Sequence, residues 1–278
     1  MRVLVAGASG QLAHAVRRTW QDHELFLPEE AVLDLAKREA IFSVVNEVRP
    51  QVLINCAAYT QVDRCESEGD LAHLINATAV GWLAEACEAQ GALLIQISTD
   101  YVFDGTGTRP YREDDPTNPV SVYGRTKLAG EQQAARCSRH IIARTSWLYD
   151  AWGKNFLNTM VNAAAQGRTL RVVADQRGAP TTCRALARQL KVAAEEGWQG
   201  LVHATCQGET TWHGFAQAIF EAKGMAVDLS PCTTADYPTP ATRPAYSVLD
   251  GSRRATLGTD LMPDWRDALL DVIEHPEL

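Results

Sequence analysis

MRVLVAGASGQLA, residues 1–13, opens the chain with an apolar, valine-rich run that stops at a glycine and passes into helically spaced residues. Met1–Ala6 is short and β-branched, so it reads as a strand. Gly7 can take the positive φ of a tight turn, and Gly10 allows a ligand to come close to the backbone. Ala13 is small enough for a helix to pack on the strand. A helix starting here aims free N–H groups and a partial positive charge at its own N-terminus, which suits a pyrophosphate. Strand, glycine turn and helix in this order form the opening of a dinucleotide-binding crossover unit.

Outward from that unit the alternation continues. Leu25–Leu27 is a weak second strand, and Lys37–Val48 an amphipathic helix with Ile41, Val44, Val45 and Val48 on one face. Val52–Ala57 is a strand, Leu71–Gln90 a long helix and Leu93–Ser98 a strand. Val122–Arg136 is a helix and Ile141–Thr145 a strand. Strands alternating with helices make a parallel sheet covered on both faces, a Rossmann-type doubly wound α/β fold. Ligands of such sheets sit at the carboxyl ends of the strands.

After about residue 147 the pattern loosens. Asn155–Ala165, Thr182–Glu196, Thr211–Ala222 and Trp265–Ile273 look helical, and Leu170–Ala174 and Leu201–Ala204 look like strands. Asp236–Pro244 carries three prolines and must be an extended loop. The expected division is a nucleotide-binding domain over 1–147, with later returns near 168–205, and a smaller α/β substrate lobe over 148–278.

The bulk numbers narrow the classes of function. A chain of 278 residues, 46% hydrophobic, can build one large core with a smaller lobe. A net charge of −8 argues against general nucleic-acid binding. The seven cysteines are odd in number and never spaced C-x-x-C, which points to reduced thiols in a cytoplasmic protein and to no metal site. No apolar run approaches the roughly 18 residues that span a membrane.

The strongest chemical motif is Tyr123-Gly124-Arg125-Thr126-Lys127. At i and i+4 of a helix, both side chains share one face. A nearby ammonium favours the phenolate and should lower the tyrosine pKa. A tyrosine so tuned can give a proton to a carbonyl oxygen as hydride arrives. Thr99 follows the strand Leu93–Ser98, where its hydroxyl can donate to the same oxygen. Cys56-Ala57-Ala58-Tyr59-Thr60 ends the preceding strand with small residues against which a dinucleotide can lie. Asn76, within the long helix, needs a polar partner, expected on a strand backbone. Glu29 and Asp34 are candidates for the adenosine end, Asp34 with a helix N-cap as its alternative role.

With these motifs the chain resembles the extended short-chain dehydrogenases, and among them the dTDP-4-dehydrorhamnose reductase family. The resemblance rests on GASGQL (7–12), VDRCE (62–66), INAT (75–78), STDYVF (98–103), VYGRTKLAGE (122–131), RTSWLY (144–149), DQRGAPT (175–181) and YPTPATRP (237–244). It implies reduction of a 4-keto group on a dTDP-linked deoxysugar by NADPH or NADH. It further implies that Gly10, Gln11, Leu12, Asp34, Leu35, Ala58, Tyr59 and Thr60 hold the cofactor, beside Gly7 and Ala57. Tyr123 is then the acid/base, Lys127 its partner and a ribose contact, and Thr99 and Asp100 flank the sugar carbonyl. Val62, Tyr101 and Trp147 line the sugar pocket, and Asn155 and Arg243 reach the nucleotide diphosphate. For Arg243 a loop-stabilising ion pair is the alternative. Two other readings fit the same motifs: a reductase of another nucleotide-linked keto-sugar, and a non-catalytic NADP-binding regulatory subunit. The oligomeric state, a homodimer included, is left open.

Overall fold

The computed structural model describes residues 1–277. Its first half runs β1 (Arg2–Ala6), α1 (Gln11–Thr19), β2 (Glu24–Phe26), α2 (Arg38–Val48), β3 (Val52–Asn55), α3 (Val62–Cys65) and α4 (Gly69–His73). A π-helical turn at Leu74–Thr78 leads into α5 (Ala79–Gln90), followed by β4 (Leu93–Thr99), α6 (Val122–Ala134) and β5 (His140–Thr145). The second half adds β6 (Leu148–Tyr149), α7 (Phe156–Ala165), β7 (Leu170–Val173), β8 (Arg177–Gly178), β9 (Thr181–Thr182), α8 (Cys183–Glu195) and β10 (Gly200–His203). It closes with β11 (Thr210–Thr211), α9 (Trp212–Ala222), β12 (Leu229–Cys232), α10 (Arg254–Leu257) and α11 (Trp265–Glu274).

Six strands form one sheet in the order β10-β5-β4-β3-β1-β2, and every pairing is parallel. From β1 the chain adds β2 on one side. It then crosses to β3 and adds the remaining strands on the other, so the strand order reverses between β1 and β3. Ligands of a doubly wound sheet enter at such a reversal. Each face carries its own core. Leu12, Val16 and Trp20 of α1 pack with Leu186 and Leu190 of α8 on one side. Ile41 and Val45 of α2 pack with Val80 and Leu83 of α5 on the other. The Trp20 indole also donates to Ala187 O at 3.0 Å, tying α1 to α8.

The chain therefore returns to the large sheet through α8 and β10. The strand at Leu170–Val173 does not take part: β7 pairs with β12 in a separate two-stranded sheet. That sheet and α7, α9 and α11 surround a third core of Tyr149, Phe215, Phe220 and Trp265. Six of the seven cysteines are buried, and none forms a disulfide. No described helix is long and apolar enough to cross a membrane.

The expected long helix over Leu71–Gln90 is present but not uniform, because Leu74–Thr78 winds as a π-helix. A π-turn shifts the hydrogen bonds to i→i+5 and lets a side chain leave at an angle that α-geometry does not offer. The side chain that uses this is Asn76, 1% exposed. Its Oδ1 accepts from Tyr59 N at 2.8 Å, and its Nδ2 donates to Tyr59 O at 3.1 Å and to Thr126 Oγ1 at 3.1 Å. The partner is thus the loop just past β3 rather than the strand itself. One amide replaces the ladder bonds that Tyr59 lost when β3 ended.

Candidate active site

The site is built where α6 crosses the carboxyl end of β4. Ser121 caps α6 by accepting from Gly124 N at 3.1 Å, and Glu66 Oε1 accepts from Val122 N at 2.8 Å. The helix then lies almost against other backbone. A Cβ on Gly124 would stand 2.2 Å from Tyr101 O, and one on Gly130 2.1 Å from Asn76 O. Only glycine permits that approach, and it draws Tyr123 and Lys127 in toward the sheet. The Tyr123 ring meets Tyr101 edge-on, with centroids 5.6 Å apart.

Lys127 is buried, and its Nζ donates to Ile97 O at 2.6 Å. Burial pulls its pKa down to about 8, against the pull of the Glu131 carboxylate. The Tyr123 phenol departs from expectation. It is not lowered by the ammonium: burial pushes it up, the Asp100 carboxylate adds to this, and a hydrogen bond from Thr99 works the other way. With Nζ committed to a backbone carbonyl, the phenol keeps its proton in this structure.

Thr99 ends β4 and is 6% exposed. Its Oγ1 donates to Asp100 Oδ1 at 3.0 Å and accepts from Tyr101 N at 3.2 Å. Asp100 is buried, and its carboxyl is pushed up to about 6, chiefly by desolvation. Trp147 holds a left-handed backbone, φ 47°, and stacks flat on Trp212 with centroids 3.6 Å apart. Gly178 makes room for it, since a Cβ there would lie 2.5 Å from the indole.

The dinucleotide crevice follows from the order of strands. Gly7 ends β1 with φ 81°, and a Cβ on it would lie 2.8 Å from Ala57 N. The loops after β1 and β3 therefore touch at the reversal point. Gly10 N donates to Gly7 O at 2.9 Å, closing the turn, and α1 starts with no side-chain cap. Its first N–H groups, without a side-chain cap, suit an anion. Ala13 is fully buried against the sheet. Ala57, Ala58 and Tyr59 are half-buried and Thr60 exposed. The Tyr59 hydroxyl bonds Glu68. At the adenosine end, Asp34 accepts from Ala36 N at 2.9 Å and pairs with Lys37, whose hydrogen bond lowers the Asp34 carboxyl. The N-cap of α2 is Lys37, so Asp34 shapes the turn before the helix rather than capping it. Leu35 is buried, and Glu29 and Glu30 are exposed.

The two residues expected at the nucleotide diphosphate, Asn155 and Arg243, both have protein partners. Asn155 caps α7, accepting from Asn158 N at 2.9 Å. Its Nδ2 donates to Gln11 Oε1 and Asp150 O, both at 2.8 Å, and to Trp152 O at 3.1 Å. That amide is held by protein partners, among them Gln11 at the start of α1. Arg243 forms a bidentate pair with Asp63, at 3.0 and 2.8 Å, and also bonds Ala241 O at 3.0 Å. The pair fastens the proline-rich loop to α3, next to Val62. Tyr101 feels both charges of the pair, which puts it near the latched loop. The arginine's alternative role as an ion pair is the one the structure shows.

Glu131, Ser98 and Arg144 lie within the motifs at 122–131, 98–103 and 144–149 without a role of their own in the sequence reading. Glu131 is buried, accepts from Ser98 Oγ at 2.5 Å, and takes both Nε and Nη2 of Arg144 at 2.8 and 2.7 Å. Its position, four residues past Lys127 on the same helical face, was the available signal.

Comparison with known proteins agrees with this geometry. The family model described as RmlD substrate binding domain matches residues 1–277. A dTDP-4-dehydrorhamnose reductase of Burkholderia thailandensis is 41% identical, over 97% of each chain. The crystal structure of such a reductase from Clostridium acetobutylicum superposes with a TM-score of 0.97 at 40% identity, covering 100% of both chains. That of a Bacillus anthracis reductase in complex with NADP gives 0.96 at 35% identity, covering 99% of each. The chain thus belongs to the RmlD substrate-binding-domain family, the dTDP-4-dehydrorhamnose reductases of the extended short-chain dehydrogenase fold.

Proposed function

We propose that the protein reduces the 4-keto group of dTDP-4-dehydrorhamnose to the alcohol of dTDP-L-rhamnose, using NADPH. The observation that carries this reading is the meeting of Tyr123, Lys127 and Thr99 at the carboxyl end of β4. The contact of Gly7 with Ala57 opens the dinucleotide crevice on the same edge of the sheet. The glycine turn, the uncapped start of α1 and the small residues after β3 fit a dinucleotide diphosphate, and the NADP-bound Bacillus relative supports NADPH.

When bound, NADPH supplies the hydride that C4 of the sugar receives. Tyr123 holds a proton on its phenol oxygen and gives it to the carbonyl oxygen as that oxygen takes up charge. Thr99 Oγ1 can turn from Asp100 to the same oxygen, adding a second donor. Lys127 stabilises the phenolate left behind, which lowers the barrier to proton loss. Trp147, held flat by Trp212, forms a wall for the sugar ring. Tyr101 and the loop latched by Arg243 and Asp63 border the sugar on the side of α3.

The test follows NADPH oxidation with dTDP-4-dehydrorhamnose as substrate. Turnover is expected in the wild-type protein. Tyr123→Phe should lower kcat by roughly 10²-fold or more, with NADPH affinity retained. Full activity in that variant would remove Tyr123 as the proton donor. A wild-type protein that binds NADPH without turnover of this sugar would move the reading to a different keto-sugar.

A further inference from the structure

Beneath Tyr123 lies a buried charge cluster in which only Lys127 has a part in the mechanism above. Lys127 and Arg144 supply two cations and Glu131 one anion, and all three are 6% exposed or less. Glu131 is bidentate to Arg144 and holds Ser98 Oγ at 2.5 Å. Ser98 directly follows Ile97, whose carbonyl holds Lys127 Nζ at 2.6 Å. We propose that Glu131 is a positioning residue for the reduction: its buried charge keeps Lys127 an ammonium, and by anchoring Ser98 it helps Gln96 Nε2, which donates to Ile97 O at 2.7 Å, to fix the Ile97 carbonyl.

The argument is one of charge in a place without water. Burial disfavours the Lys127 ammonium, and the Glu131 carboxylate is the charge that favours it. With Lys127, Arg144 and Glu131 all charged, the cluster carries a single net positive charge, which the Tyr123 phenolate cancels once the proton has gone. Without that carboxylate burial acts on Lys127 unopposed and favours a neutral lysine. A neutral lysine stabilises no phenolate. The carboxylate does not touch Nζ, so its influence on Lys127 runs through the field and through the β4 backbone. The other groups around this centre do not duplicate its charge. Asp100, beyond Thr99, is a carboxyl raised to about 6 and lies on the Tyr123 side. His203 of β10, 3.4 Å from Arg144 Nη1, is pushed down to about 3 and stays neutral. The Cys65 thiol of α3 is pushed up to about 11. Thr126 and Asn76 face α6 as uncharged groups.

This inference rests on the reductase reading for its kinetic test, but a direct test does not need turnover. The chain has five lysines, Lys37, Lys127, Lys154, Lys191 and Lys223. With 13Cε-lysine labelling, the Lys127 resonance is identified by its loss in Lys127→Met, and its titration is followed with NADPH absent. Glu131→Gln keeps an oxygen for Ser98 and removes the charge. The Lys127 titration should move acidward by about one pH unit or more, the size of effect a near opposite charge has on a pKa. The alkaline limb of the kcat profile should move with it. Ser98→Ala keeps the charge and loosens the β4 backbone, with the Ile97 carbonyl left to Gln96 Nε2 at 2.7 Å, so kcat should fall several-fold while the limb stays in place. An unmoved Lys127 titration in a folded Glu131→Gln protein overturns the proposal. A limb shift in Ser98→Ala equal to that in Glu131→Gln overturns the division of roles. If Glu131→Gln fails to fold, Glu131→Asp with a measured Lys127 titration takes its place: the retained charge should leave that titration near its wild-type position, and a shift of a full unit counts against the assignment. Absence of wild-type turnover alongside a shifted Lys127 titration would defeat the reductase reading and leave this one standing.

Discussion

Replacing Asn76 by alanine removes one amide and three hydrogen bonds, and its cost can be worked from the groups left behind. Tyr59 loses the acceptor for its N–H, and its C=O keeps only the weak Cys65 thiol donor at 3.8 Å. Thr126 keeps its bond to Tyr123 O at 3.0 Å, so it adds little. A buried backbone group without a partner costs about 1–3 kcal/mol, and Tyr59 is only half-buried, which favours the lower part of that range. Two such groups give a loss of about 2–4 kcal/mol. In a chain of this size that lowers the thermal midpoint by about 5–10 °C. The loop 57–60 would also have to be ordered by the cofactor, at about 1–2 kcal/mol for one residue. NADPH should then bind about 5- to 30-fold more weakly. Urea denaturation at constant m-value measures the first effect, and nicotinamide fluorescence titration the second. A loss below about 0.5 kcal/mol with unaltered NADPH affinity would show that water serves Tyr59 as well as Asn76 does, and the reasoning would fail.

Two more predictions concern the same region. Gly124→Ala places a methyl 2.2 Å from Tyr101 O; backbone must give way, and we expect a loss of about 3 kcal/mol or more in urea denaturation together with a fall in kcat as Tyr123 moves outward. Asp100, raised to about 6, binds its proton more readily in the folded than in the unfolded chain, so between about pH 4 and 6 it makes stability fall as pH rises. Asp100→Asn should therefore be more stable than wild type at pH 7, by up to about 3 kcal/mol, and the gain should vanish near pH 4; a pH-independent difference in urea midpoint would contradict this.

The doubly wound sheet was legible because burial imposes a pattern. β3 and β4 are buried along their whole length and open with apolar runs since both faces are covered, and the amphipathic helices show their inner stripe. The glycine turn was legible because positive φ at Gly7 restricts the residue type. What escaped the sequence depends on competing partners in space. Lys127 could have faced Tyr123 or a backbone oxygen, and spacing alone does not choose Ile97 O. Asn155 offers the same amide to a ligand or to a helix end, and the helix end took it. Arg243 could reach phosphate or carboxylate, and Asp63 lies 180 residues away in the chain. The π-turn carries no compositional mark, because its residues are those of an ordinary helix.

That π-turn has a consequence for how the chain tolerates change in length. A π-turn holds one residue more than the α-helix around it would need, so α4 and α5 are out of phase by one position. Deleting a single residue between 74 and 78 would restore uninterrupted α-winding, and hydrogen bonding along the helix would if anything improve. Because the bulge takes up the extra residue, the flanking helices would keep their alignment, and Val80, Leu83 and Ala84 would stay packed on α2. What the deletion would take away is the exit angle that brings the Asn76 amide to Tyr59. The extra residue thus serves the polar bridge and not the packing of α5, so its removal should spare the helix and cost the loop after β3.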